Sequence, residues 1–158
     1  MRKSSPEKNN SVPIFACKNG VNRIIDANVN RLKEGLRVCE EITRLILDSG
    51  ILTRRLKTVR HAVDGLCKDL ADKNQLFAAR RILEDVGRAS LRPEFKRSNY
   101  RDIFLANIQR VKESLRVLEE FSKLRNAKTA AGFKKIRYGI YDIEKKVAEK
   151  IASLSHSR

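Results

Sequence analysis

The stretch ANVNRLKEGLRVCEE (27–41) returns as ANIQRVKESLRVLEE (106–120), with ten of fifteen positions identical. The exchanges are mild: Val29 for Ile108, Asn30 for Gln109, Leu32 for Val111, Gly35 for Ser114 and Cys39 for Leu118. A weaker pair follows each copy, LKTVRHAVDGL (56–66) and FKKIRYGIYDI (133–143), which aligns Leu56 with Phe133, Val59 with Ile136, Arg60 with Arg137 and Val63 with Ile140. The first block repeats at an offset of 79 and the second at 77, so the connection inside the unit differs by two residues. Apolar spacings of three and four make each block an amphipathic helix. The unit is therefore a helical hairpin used twice. Two such hairpins pack as an all-α four-helix bundle with an approximate internal two-fold axis, and two copies are too few for a solenoid.

Punctuation residues divide the chain around this repeat. Residues 1–13, with Pro6 and Pro13, read as a flexible polar tail, and 14–19 as a short anchoring segment. The spacing predicts helices over about 21–48, stopped at Asp48-Ser49-Gly50, and over about 52–72, with Leu52, Leu56, Val59, Val63, Leu66 and Leu70 inward. A shorter linking helix fits 74–86, ending near Gly87 ahead of Pro93. Ser98 is a suitable N-cap for a helix to about Leu124, and Thr129 for a last helix with Phe133, Ile136, Ile140, Ile143 and Val147 inward. No segment reads as a strand. The expected organisation is one domain over 14–158: repeat one at about 21–72, a linking segment at 73–98, and repeat two at about 99–155.

Thirty-five Lys and Arg against nineteen Asp and Glu give a formal charge of +16, a field that attracts phosphate compounds, nucleic acid or acidic lipid. Aromatics are 6%, with no stacking stripe and no helix-turn-helix reader pattern, which disfavours nucleic acid. No apolar run reaches the ~18–20 residues of a membrane helix, and no signal-peptide pattern is expected at the start. Three cysteines without CxxC spacing suit a reducing cytoplasm.

Polar residues recur with the leucines. On a helical wheel centred on Asn28, Ile25, Leu32, Leu36, Cys39, Ile42 and Ile46 fall within about 80 degrees, and Arg31 flanks the stripe. Glu34 and Glu41 lie at its edge; Lys33, Arg37 and Glu40 fall outside, as a solvated face. Asn107, Arg110, Glu113, Glu120, Lys112, Arg116 and Glu119 give the same map in the second copy. Buried polar groups need partners. Either Asn28 meets Asn107 across the bundle and Arg31 pairs with Glu34, or these groups line a pocket for an anionic ligand. In the linking segment, Asp85-Val86-Gly87 puts a carboxylate at an expected helix C-terminus, where the dipole disfavours it unless a cation or metal sits beside it.

The segments RIIDANVNRLKEGLRVCEE (23–41), LKTVRH (56–61), AARRILEDVG (78–87), PEFKR (93–97) and LANIQRVKESLRVLEEFSKL (105–124) together resemble an all-helical family. It occurs alone or fused in front of thiamine-phosphate synthase barrels, and is regarded as an alternative hydroxymethylpyrimidine phosphate kinase of thiamine biosynthesis. Positions matching the family motifs also include His61, Arg37, Gly87, Glu94 and Arg116. A strandless chain of 158 residues supplies no synthase barrel. The resemblance implies a phosphorylated pyrimidine as substrate, with ATP and Mg2+. It also implies a thiamine-phosphate synthase as a partner and allows a homodimer. From phosphoryl-transfer chemistry, Arg31, Arg110, Arg60, Arg80 and Arg97 are candidate phosphate clamps. Glu34, Glu113 and Asp85 are candidate Mg2+ ligands or a base, and Asn28 and Asn107 candidate pyrimidine contacts. The chain lacks GxxxxGK[ST] and GxGxxG. A non-enzymatic module that binds a phosphorylated metabolite or the synthase is the alternative, and nucleic-acid binding a further one. Sequence differences between the copies, His61 against Tyr138 and Asp64 against Tyr141, favour one site per chain near the linking segment.

Overall fold

The computed structural model describes residues 14–86 and 96–155. The expectations for the tail 1–13, for Gly87 and for Pro93 and Glu94 lie outside the described residues. Among the described residues, five α-helices account for the architecture: α1 Ile14–Glu41, α2 Gly50–Leu70, α3 Lys73–Ala78, α4 Tyr100–Ser122 and α5 Ala127–Ser155, with a π-turn at Ile42–Ile46 after α1. No strand occurs among the described residues.

The longest helices form two antiparallel hairpins, α1 with α2 and α4 with α5. The most extensive contact is between α1 and α4. These two also run antiparallel: the Cys39 thiol lies 3.9 Å from the Phe104 carbonyl, while Arg125 beyond α4 donates to Asn22 near the start of α1. Leu32, Leu36, Phe104, Ile108, Leu115 and Leu118 fill the space between them, and Leu56, Val63, Phe133, Ile140 and Ile143 close it from α2 and α5. Gly35 sets how close α1 and α4 come. A Cβ there would lie 3.0 Å from the Asn107 carbonyl oxygen and 2.9 Å from a Val111 methyl.

The ends differ from the expectations in physically readable ways. Residues 14–20 continue α1 instead of forming a separate anchor. The first helix gives up α-geometry at Ile42, where Leu47 N–H reaches back five residues to the Ile42 carbonyl at 3.1 Å. Asp48 takes the left-handed conformation (φ 46) that Asp tolerates, and Gly50 opens α2 where a C-cap is expected. The Thr43 hydroxyl donates to Glu40 O at 2.9 Å and accepts from Thr53 at 3.2 Å, tying the tip of this hairpin across its two helices. Asn99, one residue beyond Ser98, caps α4 through Asp102 N–H, and Asn126, rather than Thr129, caps α5 through Lys128 and Thr129 N–H.

The linking helix is six residues long where thirteen are expected. Asp72 caps it by accepting from Asn74 and Gln75 N–H. Leu76 and Ala79 reach the bundle, but Leu83 is 84% exposed and Val86 fully so. A short helix needs a packed face to persist; once Ala79 is passed, there is nothing for its apolar side to cover. Asp85 therefore lies in irregular chain, and the expected conflict with a helix dipole does not arise.

Candidate functional site

The buried arc of α1 is not centred on Asn28. Ile25, Leu32 and Leu36 are essentially inaccessible, which places the centre about 60 degrees from Asn28. The cause is that α1 packs on α4 along one flank and on α2 along the other. The rotation moves several expected site residues outward. Arg31 and Arg110 are exposed and make no ion pair among the described residues. Asn28 and Asn107 do not meet: each amide donates to its own helix four residues back, to Ile24 O at 2.9 Å and to Ile103 O at 2.8 Å. Arg97 is exposed and donates to the neighbouring Lys96 carbonyl.

The same rotation buries Glu40 (5% exposed) and Glu119 (4%), expected on a solvated face. Arg60 Nε donates to Glu40 at 3.1 Å, and Arg137 donates to Glu119 through Nε at 3.0 Å and Nη2 at 2.9 Å. Arg37 and Arg116 flank the two carboxylates from outside. Arg60 is thus engaged in a pair between α1 and α2 and lines neither of the cavities at the other edge of α1. The corresponding pair occurs in each hairpin, binding its two helices together.

The other edge of α1 carries Arg23, Asp26, Asn30, Lys33 and Glu34, spaced by threes and fours onto one strip. Opposite stand α2 and the turn into α3. Arg80, just past α3, makes a bidentate pair with Asp26, Nε to Oδ2 at 2.6 Å and Nη2 to Oδ1 at 2.9 Å. Its guanidinium stacks 4.1 Å above the Phe77 ring. Asp26 is 8% exposed, and its hydrogen bonds hold Arg80 more firmly in the charged form. This pair separates two adjoining cavities. One, about 370 Å³, is lined by Arg23, Glu34, Arg81 and Asp85. The other, about 690 Å³, runs between α1, α2 and α3 past Lys33, His61, Asp64, Lys68, Lys73 and Phe77. Lys33 pairs with Asp64 at 2.5 Å; that hydrogen bond pulls the Asp64 carboxyl below its usual range. Burial pushes the Cys67 thiol, in the same groove, up to about 11.

The structure therefore brings Arg80, Glu34 and Asp85 together and leaves Asn28, Arg31, Arg60, Arg97, Asn107 and Arg110 outside both cavities. Glu113 lies in a shallow groove on the second hairpin with Lys112, Arg116, Arg137 and Tyr141. There the charges satisfy one another. Lys112 Nζ holds both Glu144 oxygens at 2.7 and 2.8 Å, and Arg137 donates to the Tyr141 hydroxyl at 2.8 Å. No cluster of three or more His, Cys, Asp or Glu suited to a metal occurs among the described residues. Glu34 and Asp85 are the carboxylates that line the smaller cavity beside Asp26. Magnesium is commonly held through one or two carboxylates plus substrate phosphates, and that donor set fits such a mode. Asp26, at the centre of the site, lies within the resembling segment 23–41 but is not among the expected site residues. The available signal was a break in the repeat: at the offset of 79 Asp26 faces Leu105.

No solved structure matches the chain. Proteins named thiamine-phosphate synthase do. That of Synechocystis sp. PCC 6803 is 39% identical over 82% of this chain and 36% of its own length, and that of Nostoc sp. PCC 7120 is 40% identical over 78% and 34%. That of Rhodopirellula baltica is 37% identical over 84% of this chain and 36% of its own. The chain thus spans about a third of the length of these curated relatives. The ThiD2 family matches residues 23–146, a range that holds both hairpins' paired segments and the whole Asp26–Arg80 site. The chain belongs to the ThiD2 family.

Proposed function

We propose that the chain acts in thiamine biosynthesis as a kinase, converting hydroxymethylpyrimidine phosphate to its diphosphate. Family membership and the names of the relatives support the pathway. The observation that carries the reaction class is the clustering of Arg80, Arg23, Arg81, Lys33, Lys68 and Lys73 around two adjoining cavities that also hold Glu34 and Asp85.

Joining two phosphorylated molecules is chiefly an electrostatic problem. The acceptor is a phosphate monoester with a second pKa near ~6, so its attacking oxygen is already deprotonated near neutral pH and needs no strong base. Repulsion between two anions must instead be offset and their geometry fixed. Arg80 has a planar fork suited to phosphate, and its orientation is set by the bidentate pair with Asp26 and by the Phe77 ring on which it stacks. Lys33 is held by Asp64 at the opposite wall of the larger groove. Glu34 and Asp85 would hold Mg2+ where the phosphates of the two substrates meet. The ion, when bound, would neutralise charge developing on the phosphoryl oxygens. Glu113 has no part in this site.

The test is incubation with ATP, Mg2+ and hydroxymethylpyrimidine phosphate, following ADP by a coupled assay and the diphosphate by phosphorus NMR. Turnover is expected, and Arg80→Ala should lower kcat/KM by about 100-fold. Binding without turnover would refute the kinase and support a second reading, a ligand-holding module for a synthase. That reading is favoured by the chain's matching only about a third of each relative.

A further inference from the structure

The cavities that meet at the Asp26–Arg80 pair differ in size and charge. The larger, about 690 Å³, sets Lys33, Lys68, Lys73 and Arg80 against Asp26 and Asp64 over a floor that includes Val29, Leu76 and Phe77. The smaller, about 370 Å³, sets Arg23, Arg80 and Arg81 against Asp26, Glu34 and Asp85. The lining residues common to both are Asp26, Asn30 and Arg80. A net-cationic groove with an apolar floor suits a large aromatic body bearing several phosphates. A smaller cavity of mixed charge suits a single ring with one phosphate.

We infer that the two reactants lie on opposite sides of this partition, the nucleoside triphosphate in the larger groove and the aminopyrimidine phosphate in the smaller, with Arg80 the clamp that touches the phosphates of both. The assignment rests on the kinase reading. A guanidinium carries five N–H donors. Asp26 takes the one on Nε and one of the two on Nη2, which fixes the plane of the group and leaves the other Nη2–H and both on Nη1 for phosphate. Asp26 is then a positioning residue. Phosphoryl transfer places the attacking and leaving oxygens roughly in line through phosphorus. Ligands entering from opposite sides of Arg80 meet that condition without either having to turn. The acceptor phosphate oxygen forms the new P–O bond, and the bond from the γ-phosphorus to the β,γ-bridging oxygen breaks. That oxygen keeps the electron pair on the departing nucleoside diphosphate.

Calorimetric titrations with ADP alone and with hydroxymethylpyrimidine phosphate alone test the partition, with circular dichroism as the folding control. The paired substitutions Lys68→Ala and Lys73→Ala should weaken ADP about tenfold or more and leave the pyrimidine phosphate within about twofold. Arg23→Ala with Arg81→Ala should do the reverse. Arg80→Ala should weaken both, and Arg80→Lys, which keeps the charge if the alanine variant folds poorly, should recover part of each. In the wild type, saturating ADP should leave a full equivalent of pyrimidine phosphate sites. Competition between the two ligands, or equal losses of both in either double variant, overturns the assignment while turnover leaves the kinase reading standing. If the wild type binds neither ligand, the kinase reading falls and takes the assignment with it.

Discussion

Removing the Glu119 carboxylate should destabilise the protein more than any equivalent change at Glu40, although the two residues occupy matching positions in the repeat. Glu119 receives Arg137 Nε and Nη2 at 3.0 and 2.9 Å and Arg116 Nη1 at 2.9 Å. Glu40 receives Arg60 Nε at 3.1 Å and Arg37 Nη1 at 3.5 Å. The cation left behind also differs: the Arg137 side chain is 13% exposed and that of Arg60 21%. Breaking a buried pair by deleting one partner costs about 3–5 kcal/mol, because the survivor stays charged and desolvated. Residual exposure of both arginines puts Glu119→Ala near the lower end, about 3 kcal/mol, and Glu40→Ala near 2 kcal/mol, where water reaches the cation more easily. For a chain of this size 3 kcal/mol corresponds to roughly 6–12 °C in Tm. Urea unfolding followed by circular dichroism at 222 nm and neutral pH measures both. Adding Arg137→Met to Glu119→Ala should recover much of the loss, since the stranded charge is removed. A loss under about 1 kcal/mol at Glu119, a larger loss at Glu40, or no recovery in the double variant would refute the account.

Three further outcomes follow from the packing and the charges. Gly35→Ala gains about 1 kcal/mol of helix propensity, but sets a methyl 3.0 Å from the Asn107 carbonyl; a net loss of about 1–2 kcal/mol is expected in urea unfolding. Ser122→Ala should be neutral or slightly stabilising in the same assay, because the Ser122 hydroxyl is buried without a hydrogen-bond partner among the described residues. Asp64 and Asp142 have carboxyls held below their usual range by hydrogen bonds from Lys33 and Arg55, so each adds stability that is present above about pH 4 and is lost as pH falls through the folded-state value. The urea midpoint should therefore be flat from pH 7 to about 5 and decline below about 4, and Asp64→Asn should make that decline shallower.

Element type and the hairpin pairing were legible because apolar spacing records a helix that must bury one side. Α single helical wheel could not tell how wide that side is. With α2 and α4 both against α1, the buried arc reaches Glu40, and Arg31 turns out into solvent. The extent of α3 was misjudged for a related reason: Ile82, Leu83 and Val86 keep a helical rhythm, yet all are exposed and give it nothing to pack on. Arg80 and Asp85 were recognisable from the resemblance. Asp26 was not, since a lone acid in an amphipathic helix is ordinary until a distant arginine folds onto it. Lys33 likewise reads as surface charge from the sequence, and its pairing with Asp64 comes only when α1 and α2 are side by side.

The π-turn after α1 has a practical consequence. Glu40 and Arg60 are 20 residues apart, whereas Glu119 and Arg137, joined by the same kind of contact, are 18 apart. The first hairpin thus accommodates two more residues at its tip while its helices stay in step. Alignment is dictated along the sides, and the tip is a tolerant splice point. A short polar graft between Leu45 and Ile46, both exposed and ahead of the buried Leu47, should change chain-closure entropy by only about 0.6 kcal/mol per doubling of loop length. That makes this corner, beyond the C-terminal end of α1 and several turns from Asp26, a suitable place to attach a reporter or an affinity handle.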